Sequence, residues 1–255
     1  MVSTLPPLPR PPLVARIAEA RIVLVGAGGI GAPAALALSH AGAKHFVVLD
    51  DDHVEASNLH RQILFSDEDV GRAKLYAFAE ALGVGGGAKV EAVPSRALPE
   101  NVLEVLRGAD VVVDATDNFA SRFLLADAAH IVGVPIVHAA AVRWNATVVA
   151  SAAGGKPCYR CLFEDLPTGD APDCATAGVL GPICGVAGAL AAELALRILG
   201  ASTLSPYGFI YTFDGRRDLL RTVPLKPRSD CALCGSAPSI RAIDESRYVR
   251  PDCAT

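Results

Sequence analysis

The chain has 255 residues, a formal net charge of −4 at pH 7 and a pI near 5.9. Hydrophobic residues make up 51% of it and charged residues 20%, which excludes a disordered protein and suffices for a full core. The slightly acidic charge excludes a general nucleic-acid or membrane-surface binder, although it leaves room for a local basic pocket.

The N-terminal segment MVSTLPPLPRPPL contains five prolines and no apolar stretch of the kind found in a signal peptide. We therefore predict a poorly ordered lead-in over residues 1–12, with structure beginning near Leu13. The chain also has seven cysteines without secretory features. This combination indicates reduced thiols in a cytoplasmic protein, where they serve a metal or chemistry rather than disulfides.

The first half of the chain alternates apolar strands with helices, which is the pattern of a parallel, doubly wound sheet. The first strand enters a glycine turn within residues 21–31, and the other predicted strands are 45–50, 89–93, 110–118 and 135–141. Helices are predicted at 32–41, 72–82, 98–110 and 119–132.

Beyond residue 141 the pattern changes to strands with turn-like connections, which indicates an antiparallel extension of the same sheet. These strands are predicted at 145–151, 207–214 and 218–225. Between them lie a cysteine-bearing loop and an apolar helix over residues 182–199, which contains Glu193 and Arg197 and is therefore predicted to be buried rather than membrane-spanning.

These patterns together predict the fold class and the division of the chain. We expect an α/β protein with a Rossmann-like, doubly wound, mainly parallel sheet that antiparallel strands extend. A single domain is expected over residues 13–255. It would comprise a nucleotide-binding half at 13–141, a second half at 142–235 and a tail at 236–255.

A glycine motif between the first strand and the first helix predicts a nucleotide site. The glycines are Gly26, Gly28, Gly29 and Gly31, and Asp50 ends the next strand. Small residues let the backbone approach a phosphate at a helix N-terminus, and an acid in this place accepts hydrogen bonds from ribose hydroxyls. The alternative is a tight turn with packing glycines and no ligand.

Polar residues beyond Asp50 favour triphosphate chemistry over a nicotinamide site. Asn58, Arg61 and Lys74 supply donors and positive charge for the phosphates and a departing pyrophosphate. Asp117 follows a buried strand, where open α/β sheets bind ligands, and its carboxylate suits Mg²⁺. For any one of these residues a solvated surface charge is the simpler interpretation, whereas the set around one crevice favours an active site.

Two C-x-x-C motifs indicate a structural zinc site. They pair Cys158 with Cys161 and Cys231 with Cys234, which is a Cys₄ pattern with a long insertion. Four thiolates would close the coordination sphere and fasten the C-terminal segment to the preceding loop. The rival interpretation, a redox pair, requires a thioredoxin-like context that the sequence lacks.

Seven segments, in order, carry a resemblance that covers most of the chain. They are GAGGIG, LDDDHVEASNLHRQILF, GRAK, DATDN, CYRC, CATAGVLGP and CALCG. The chain thereby resembles the ThiF/MoeB/HesA-type family of ubiquitin-like protein activating enzymes, the sulfur-carrier adenylyltransferases. The segment N-L-x-R-Q is far more specific for this family than the glycine motif.

The resemblance implies a reaction and a role for each matched residue. The C-terminal glycine carboxylate of a small ubiquitin-like sulfur carrier with a Gly-Gly tail would attack the α-phosphate of ATP and release pyrophosphate. Asp50 would bind the ribose, while Asn58, Arg61 and Lys74 would hold the triphosphate. Asp117 would ligate Mg²⁺, and zinc would occupy the two cysteine motifs.

The same resemblance implies a covalent role for Cys174, which matches a family cysteine able to form a thioester or acyl-persulfide with the carrier. A loop thiol before a helix could attack the adenylate. The alternative is an incidental cysteine, since many relatives adenylate without it. We interpret Cys184 as a small buried hydrophobe and His138 as a structural residue.

Partners follow from the resemblance as well. It implies a homodimer, and a cysteine desulfurase or rhodanese-like protein as a separate sulfur donor, because no rhodanese-like domain follows Cys234. Neither a membrane nor a nucleic acid is expected as a partner. Relatives usually begin with an R-Y-x-R-Q segment whose arginine enters the partner subunit's ATP site; this sequence lacks it, and Arg10 or Arg16 could stand in.

Three other functions remain open from the residues. A tRNA-modifying, ATP-dependent cyclase/dehydratase of the same superfamily is disfavoured by the acidic charge and the two cysteine motifs. A nicotinamide-dependent oxidoreductase leaves Arg61, Lys74 and Asp117 unexplained. A non-catalytic partner subunit would have lost its ATP site, whereas the expected ATP-binding residues are present.

Overall fold

An eight-stranded sheet forms the centre of the molecule in the computed structural model, which describes residues 16–167, 178–200 and 202–248, without the side chains of 84–86. In chain order the strands are β1 Arg21–Val25, β2 His45–Leu49, β3 Lys89–Val93, β4 Val111–Asp114, β5 Ile136–Val142, β6 Asn145–Ser151, β7 Phe209–Asp214 and β8 Leu219–Pro224. They lie side by side in the order β3-β2-β1-β4-β5-β6-β7-β8.

The pairing confirms the predicted fold class. β3, β2, β1, β4 and β5 pair in parallel, whereas β6, β7 and β8 continue the sheet in antiparallel fashion. The strand order reverses between β1 and β4, and open α/β sheets bind ligands at the carboxyl ends of the strands at such a point. The fold therefore directs attention to the loops after β1, β2 and β4.

Six helices connect or cover the strands within the described residues. They are α1 Gly31–His40, α2 Lys74–Gly86, α3 Val102–Leu106, α4 Phe119–Val132, α5 Tyr159–Leu162 and α6 Gly181–Ile198. Short 3₁₀ turns occur at Ala56–Asn58, Asp67–Asp69 and Glu245–Tyr248. The predicted bounds of α4 and β6 are confirmed to the residue.

Two predicted helices have different lengths in the structure. α2 runs on through the glycines at its end and stops at Gly87, whose φ of 63° is left-handed and closes the helix. α3 is much shorter than the predicted 98–110. The side chain of Asn101 accepts from the Leu98 N–H and donates to the Arg96 carbonyl, which holds the preceding residues in a turn.

Alternating side chains place two apolar layers on the sheet. Along β1, Ile22 and Leu24 face the layer that contains α1, α2 and α6, whereas Val23 and Val25 face α3 and α4. α6 is long and apolar enough to span a bilayer, yet half of it is buried in this chain, against α1, β5 and β6. It is the core helix that the sequence predicts.

The C-terminal segment returns to α4 through one buried carboxylate. Asp127 accepts from Arg160 Nε and Nη2 at 2.8 and 2.9 Å, and from the Tyr248 hydroxyl at 2.9 Å. Paired charged groups with their hydrogen bonds satisfied tolerate burial, whereas removing one partner is costly. This network fixes α5 and the 3₁₀ turn at Glu245–Tyr248 to α4.

Candidate active site

A cleft of about 330 Å³ opens at the carboxyl ends of β1, β2 and β4. Eight of the residues that sequence analysis assigned to ATP line it: Gly26, Gly28, Gly29, Asp50, Asn58, Arg61, Lys74 and Asp117. The structure thus brings together side chains from five separate parts of the chain.

The glycine turn that lines the cleft requires residues without side chains. Gly26 has a φ of 99°, and a Cβ on it would lie 2.8 Å from the Ala115 carbonyl oxygen. Gly31 does not line the cleft, but a Cβ on it would collide with the Gly26 carbonyl oxygen. α1 begins directly after this turn without a side-chain cap. In its first turn Ala32 and Ala34 already donate to backbone carbonyls, and Pro33 has no N–H. Among the described residues the Gly31 N–H is therefore the one left for a phosphate.

We expect Gly31→Ala to lower the affinity for ATP by more than tenfold, because the new methyl group forces the turn open. Isothermal titration with Mg·ATP measures this. Gly83→Ala is the matched control, since a Cβ there meets nothing within 4 Å. That control should bind ATP normally and gain about 0.5–1 kcal/mol of stability. Equal ATP affinity of the two variants would contradict a phosphate-binding role for the turn.

Asp50 connects the end of β2 to the glycine turn. Its Oδ2 accepts from the Ala27 N–H at 2.8 Å, and its Oδ1 accepts from the Asp52 N–H at 2.9 Å. A carboxylate has about four lone-pair sites, so these two bonds leave capacity for ribose hydroxyls. The Asp50 side chain can therefore order the glycine turn and bind a ligand at the same time.

Lys74 lies at the start of α2 with its ammonium group in the cleft. The residue is 5% exposed, and its Nζ lies 2.8 Å from Asp52 Oδ2. An ammonium group has three donors, so one salt bridge leaves two for phosphate oxygens. Asn58 lies across the cleft, where its amide donates to Glu55 at 3.3 Å.

Backbone packing on two sides sets the position of Arg61. A Cβ on Gly29 would lie 3.0 Å from the Arg61 carbonyl oxygen. On the other side a Cβ on Gly181, the first residue of α6, would collide with the carbonyl oxygen of His60. Because Gly29 and Gly181 have no side chains, the glycine turn and the start of α6 pack directly against the backbone of His60 and Arg61.

Asp117 presents an exposed carboxylate at the rim of the cleft, one residue before Asn118 caps α4 by accepting from the Ser121 N–H at 2.8 Å. Exposed carboxylates are the ligands that Mg²⁺ prefers. A second acidic group comprises Asp50, Asp51 and Asp52, whose oxygens lie within 4.8 Å of one another.

The acidic group at 50–52 is already compensated by cations. Lys74 pairs with Asp52, and Arg96 makes two bonds of 2.9 and 3.0 Å to the carboxylate of Asp51. The hydrogen bonds that Arg96 donates to Asp51, together with the negative charge of that carboxylate, raise the pKa of Arg96. Asp117 is consequently the better of the two carboxylate sites for Mg²⁺.

The cleft residues that sequence reasoning did not assign to ATP include Arg96, Gln62 and Cys184. Arg96 follows β3, so the rule that ligands bind at the carboxyl ends of strands could have found it. Gln62 is 3% exposed and its Oε1 has no hydrogen-bond partner, which only the structure reveals. Cys184 is buried as predicted, but its helix end faces the nucleotide cleft.

Four buried cysteines form a separate cluster that could hold a metal. Their sulfur atoms lie within 4.8 Å of one another, with 3.6 Å between Cys158 and Cys231 and 3.4 Å between Cys161 and Cys234. The Arg228 N–H also donates to the Cys161 sulfur at 3.4 Å. Four inward-facing sulfurs supported by a backbone N–H fit a tetrahedral zinc ion.

Thiol ionisation within the cluster is uneven. Burial raises the pKa of the Cys158 thiol and, at Cys234, raises it to about 11. At Cys231 burial acts in the same direction, but the backbone N–H groups of Cys234 and Leu233 outweigh it and lower the pKa. A divalent cation would have to displace protons here, so its affinity falls as pH falls.

Three further predicted residues are Cys174, Arg10 and Arg16. Cys174 and Arg10 fall outside the described residues. Arg16 is described and lies near the amino end of β4, whereas the cleft is at the carboxyl ends of the strands. Its Nη2 is 3.9 Å from Oδ1 of Asp110, the residue before β4. It does not line the cleft of its own chain.

The fold and the cleft define a Rossmann-like nucleotide-binding protein whose phosphate side carries cations and an exposed carboxylate. The ThiF family matches this chain over residues 5–233. Because that match spans most of the chain, the protein belongs to the ThiF family.

Named relatives agree with this assignment. The SAMP-activating enzyme E1 of Haloferax volcanii is 41% identical over 241 residues, which are 94% of this chain and 88% of that protein. A sulfur carrier protein adenylyltransferase of Thermus thermophilus is 39% identical over 89% of this chain and 87% of its own length. The adenylyltransferase and sulfurtransferase MOCS3 of Sus scrofa is 39% identical over 90% of this chain and 51% of its length.

Solved structures share the architecture at lower identity. A crystal structure of E. coli MccB with ATP has a TM-score of 0.75 and 23% identity, covering 88% of this chain and 69% of that one. Another, of MccB alone, gives a TM-score of 0.77 at 22% identity. At this level of identity the likeness concerns the fold.

Proposed function

We propose that this protein is an adenylyltransferase that uses ATP to activate the C-terminal glycine carboxylate of a small ubiquitin-like sulfur carrier. The observation that carries the proposal is the convergence of Arg61, Lys74 and Asn58 on one cleft beside the glycine turn. Relatives about 40% identical over most of their length are named for this activity. A nicotinamide site would leave these cations without a purpose.

In the proposed reaction a carboxylate oxygen of the carrier attacks the α-phosphorus of ATP. A phosphorus–oxygen bond forms as the bond to the β-phosphate breaks, and pyrophosphate leaves with the electron pair. No proton moves and no protein nucleophile is required. The protein positions the reactants and stabilises the charge that develops on the leaving phosphates.

Each cleft residue has a part in this scheme. The glycine turn and the N-terminus of α1 hold phosphate oxygens, and Asp50 accepts from the ribose hydroxyls. Arg61 and Lys74 neutralise the departing pyrophosphate, with Asn58 as an additional donor. Asp117 would hold Mg²⁺, which when bound supplies further positive charge to the phosphates.

Zinc in the cysteine cluster would have a structural role. Cys158, Cys161, Cys231 and Cys234 would provide four thiolates and leave no position open for substrate. Such a site joins α5 to the segment after β8 and so supports the same C-terminal return that Asp127 anchors. Its contribution is to stability rather than to adenylation.

Further partners belong to the same proposal. The adenylate's carbonyl carbon is an electrophile for sulfur, so a cysteine desulfurase or rhodanese-like protein would deliver sulfur to the carrier. Cys174 would form a covalent link to the carrier after activation, with AMP as the leaving group. We also propose a homodimer in the cytoplasm.

Pyrophosphate release from Mg·ATP tests the function, with and without a Gly-Gly-ended sulfur carrier. We expect release that requires both the carrier and its free terminal carboxylate, so a carrier with an amidated terminus should be inert. Cys174→Ser should leave formation of the adenylate intact, because the thiol acts later. Absence of release with every carrier, despite ATP binding, would instead indicate a partner subunit or another substrate.

A further inference from the structure

A second cavity, of about 150 Å³, adjoins the nucleotide cleft. Its walls are mostly apolar and come from β5, β6, the start of α4 and the region of α5: Phe119, Ala140, Val142, Val149, Tyr159, Leu162 and Phe163. Asp117 borders both this cavity and the cleft. A space of about this volume admits a group of roughly benzene size, and so a narrow chain rather than a folded domain.

A buried histidine–carboxylate pair forms one wall of this cavity. His138 lines it, and its Nδ1 lies 2.7 Å from Asp114 Oδ2. The other oxygen of Asp114 accepts from the Thr116 N–H at 3.0 Å and from its hydroxyl at 2.6 Å. These bonds fix the carboxylate, and through it the orientation of the imidazole.

The pair determines which nitrogen of the histidine carries the proton. Burial alone would raise the pKa of Asp114, but the positive charge of Arg122 and the hydrogen bond from His138 outweigh it and lower the pKa. An ionised carboxylate only accepts, so Nδ1–H is the donor. In the neutral ring Nε2 then has a free lone pair and acts as an acceptor.

That acceptor has no hydrogen-bond partner among the described residues. His138 is 1% exposed, and its Nε2 makes no hydrogen bond to the described residues. No other described residue that lines the cavity has a buried side-chain nitrogen or oxygen without a hydrogen bond. Leaving a buried acceptor unpaired costs free energy, so such atoms commonly mark a ligand contact. The ring also lies against Tyr159, with 4.4 Å between ring centroids, which restricts its rotation.

We propose that His138 is a positioning residue whose Nε2 accepts a hydrogen bond from a main-chain N–H of the carrier's glycine tail. This inference rests on the proposed function, because the occupant must end at the cleft that Asp117 shares. A tail of glycines is narrow enough for the cavity. Apolar walls strip water from its amides, and each amide N–H then needs an acceptor inside. Nε2 is such an acceptor, and Asp114 holds it in place.

His138→Asn is the informative variant. The asparagine amide can still donate to Asp114, but it offers no acceptor at the position of Nε2. We expect the KM for the carrier to rise about tenfold, as for loss of one hydrogen bond, while the KM for ATP stays unchanged. Zinc content and the melting temperature report on folding. An unchanged carrier KM would overturn the proposal.

A backbone substitution in the carrier tests the bond itself. Semisynthetic carriers replace one tail amide at a time by an ester, which lacks the N–H. One ester should weaken the wild type about tenfold and have no further effect on His138→Asn. Additive losses for every ester would overturn the proposal. The wild type with the all-amide carrier is the reference, so absence of pyrophosphate release there counts against the proposed function instead.

A measurement on the wild type needs no variant to fold. In protein labelled with ¹⁵N-histidine, the Nε2 resonance of His138 should shift on addition of a Gly-Gly-ended carrier with a non-hydrolysable ATP analogue. A carrier truncated by its two glycines should leave the resonance in place. Equal spectra with both carriers would overturn the proposal.

Discussion

Arg61→Ala should reduce carrier-dependent pyrophosphate release by about 10³-fold, as expected when an arginine that stabilises departing phosphates is removed. The guanidinium lies in the cleft with Lys74, and no other described arginine there is free of a carboxylate, since Arg96 is bound to Asp51. Lys74 alone cannot replace it because Asp52 holds part of its charge. The loss should appear mainly in kcat, because the interaction strengthens as pyrophosphate departs.

Arg72→Ala is the matched control for that experiment. Arg72 lies two residues before Lys74, the first residue of α2. Its guanidinium pairs with Asp69 and Glu80 outside the cleft. We expect its activity to equal that of the wild type, and both variants to keep their metal. Comparable kcat/KM values for Arg61→Ala and the wild type would show that the phosphates bind elsewhere.

Cys231→Ser should remove the metal and most of the stability of the C-terminal region. The binding free energy of structural zinc in small zinc-binding peptides is roughly 10–16 kcal/mol. The total free energy of unfolding of a typical protein is only about 5–15 kcal/mol. The expected result is less than one tenth of the wild-type zinc content and a melting temperature lower by at least about 10 °C. Metal analysis and calorimetry on the purified protein measure both.

Cys184→Ala separates the loss of a ligand from the loss of any buried cysteine. Cys184 is as buried as Cys231 but lies at the start of α6, away from the cluster. This control should retain its zinc, and its melting temperature should fall only by the cost of a small cavity. Full zinc content in Cys231→Ser would exclude the four-cysteine site.

Much of the fold could be read from the sequence because local patterns and long-range packing agree. β6 and α4 begin and end where the apolar pattern of the sequence predicts. α2 and α3 deviate because glycine content and apolar spacing do not determine where a helix ends. A left-handed residue ended the first, and the side-chain bonds of Asn101 shortened the second.

The nucleotide site was predictable where its residues follow a motif and unpredictable where distant segments meet. The glycine turn is read from its spacing, and N-L-x-R-Q is read from the resemblance to the family. Arg96 enters the cleft from the loop after β3, which no motif marks. His138 was interpreted as structural because its link to Asp114 depends on the register of β4 with β5.

The start of α6 contacts His60, and the glycine turn contacts Arg61, the next residue in the chain. These two elements therefore move together with the segment between them. Neither Gly181 nor Gly29 leaves room for a side chain between it and the segment His60–Arg61, so a rigid-body shift of α6 must carry Arg61 with it. A molecule that binds against α6 would therefore alter the affinity for ATP. By linkage, ATP would alter the affinity for that molecule by the same factor. The chain would then respond to that molecule and to the nucleotide jointly through backbone packing.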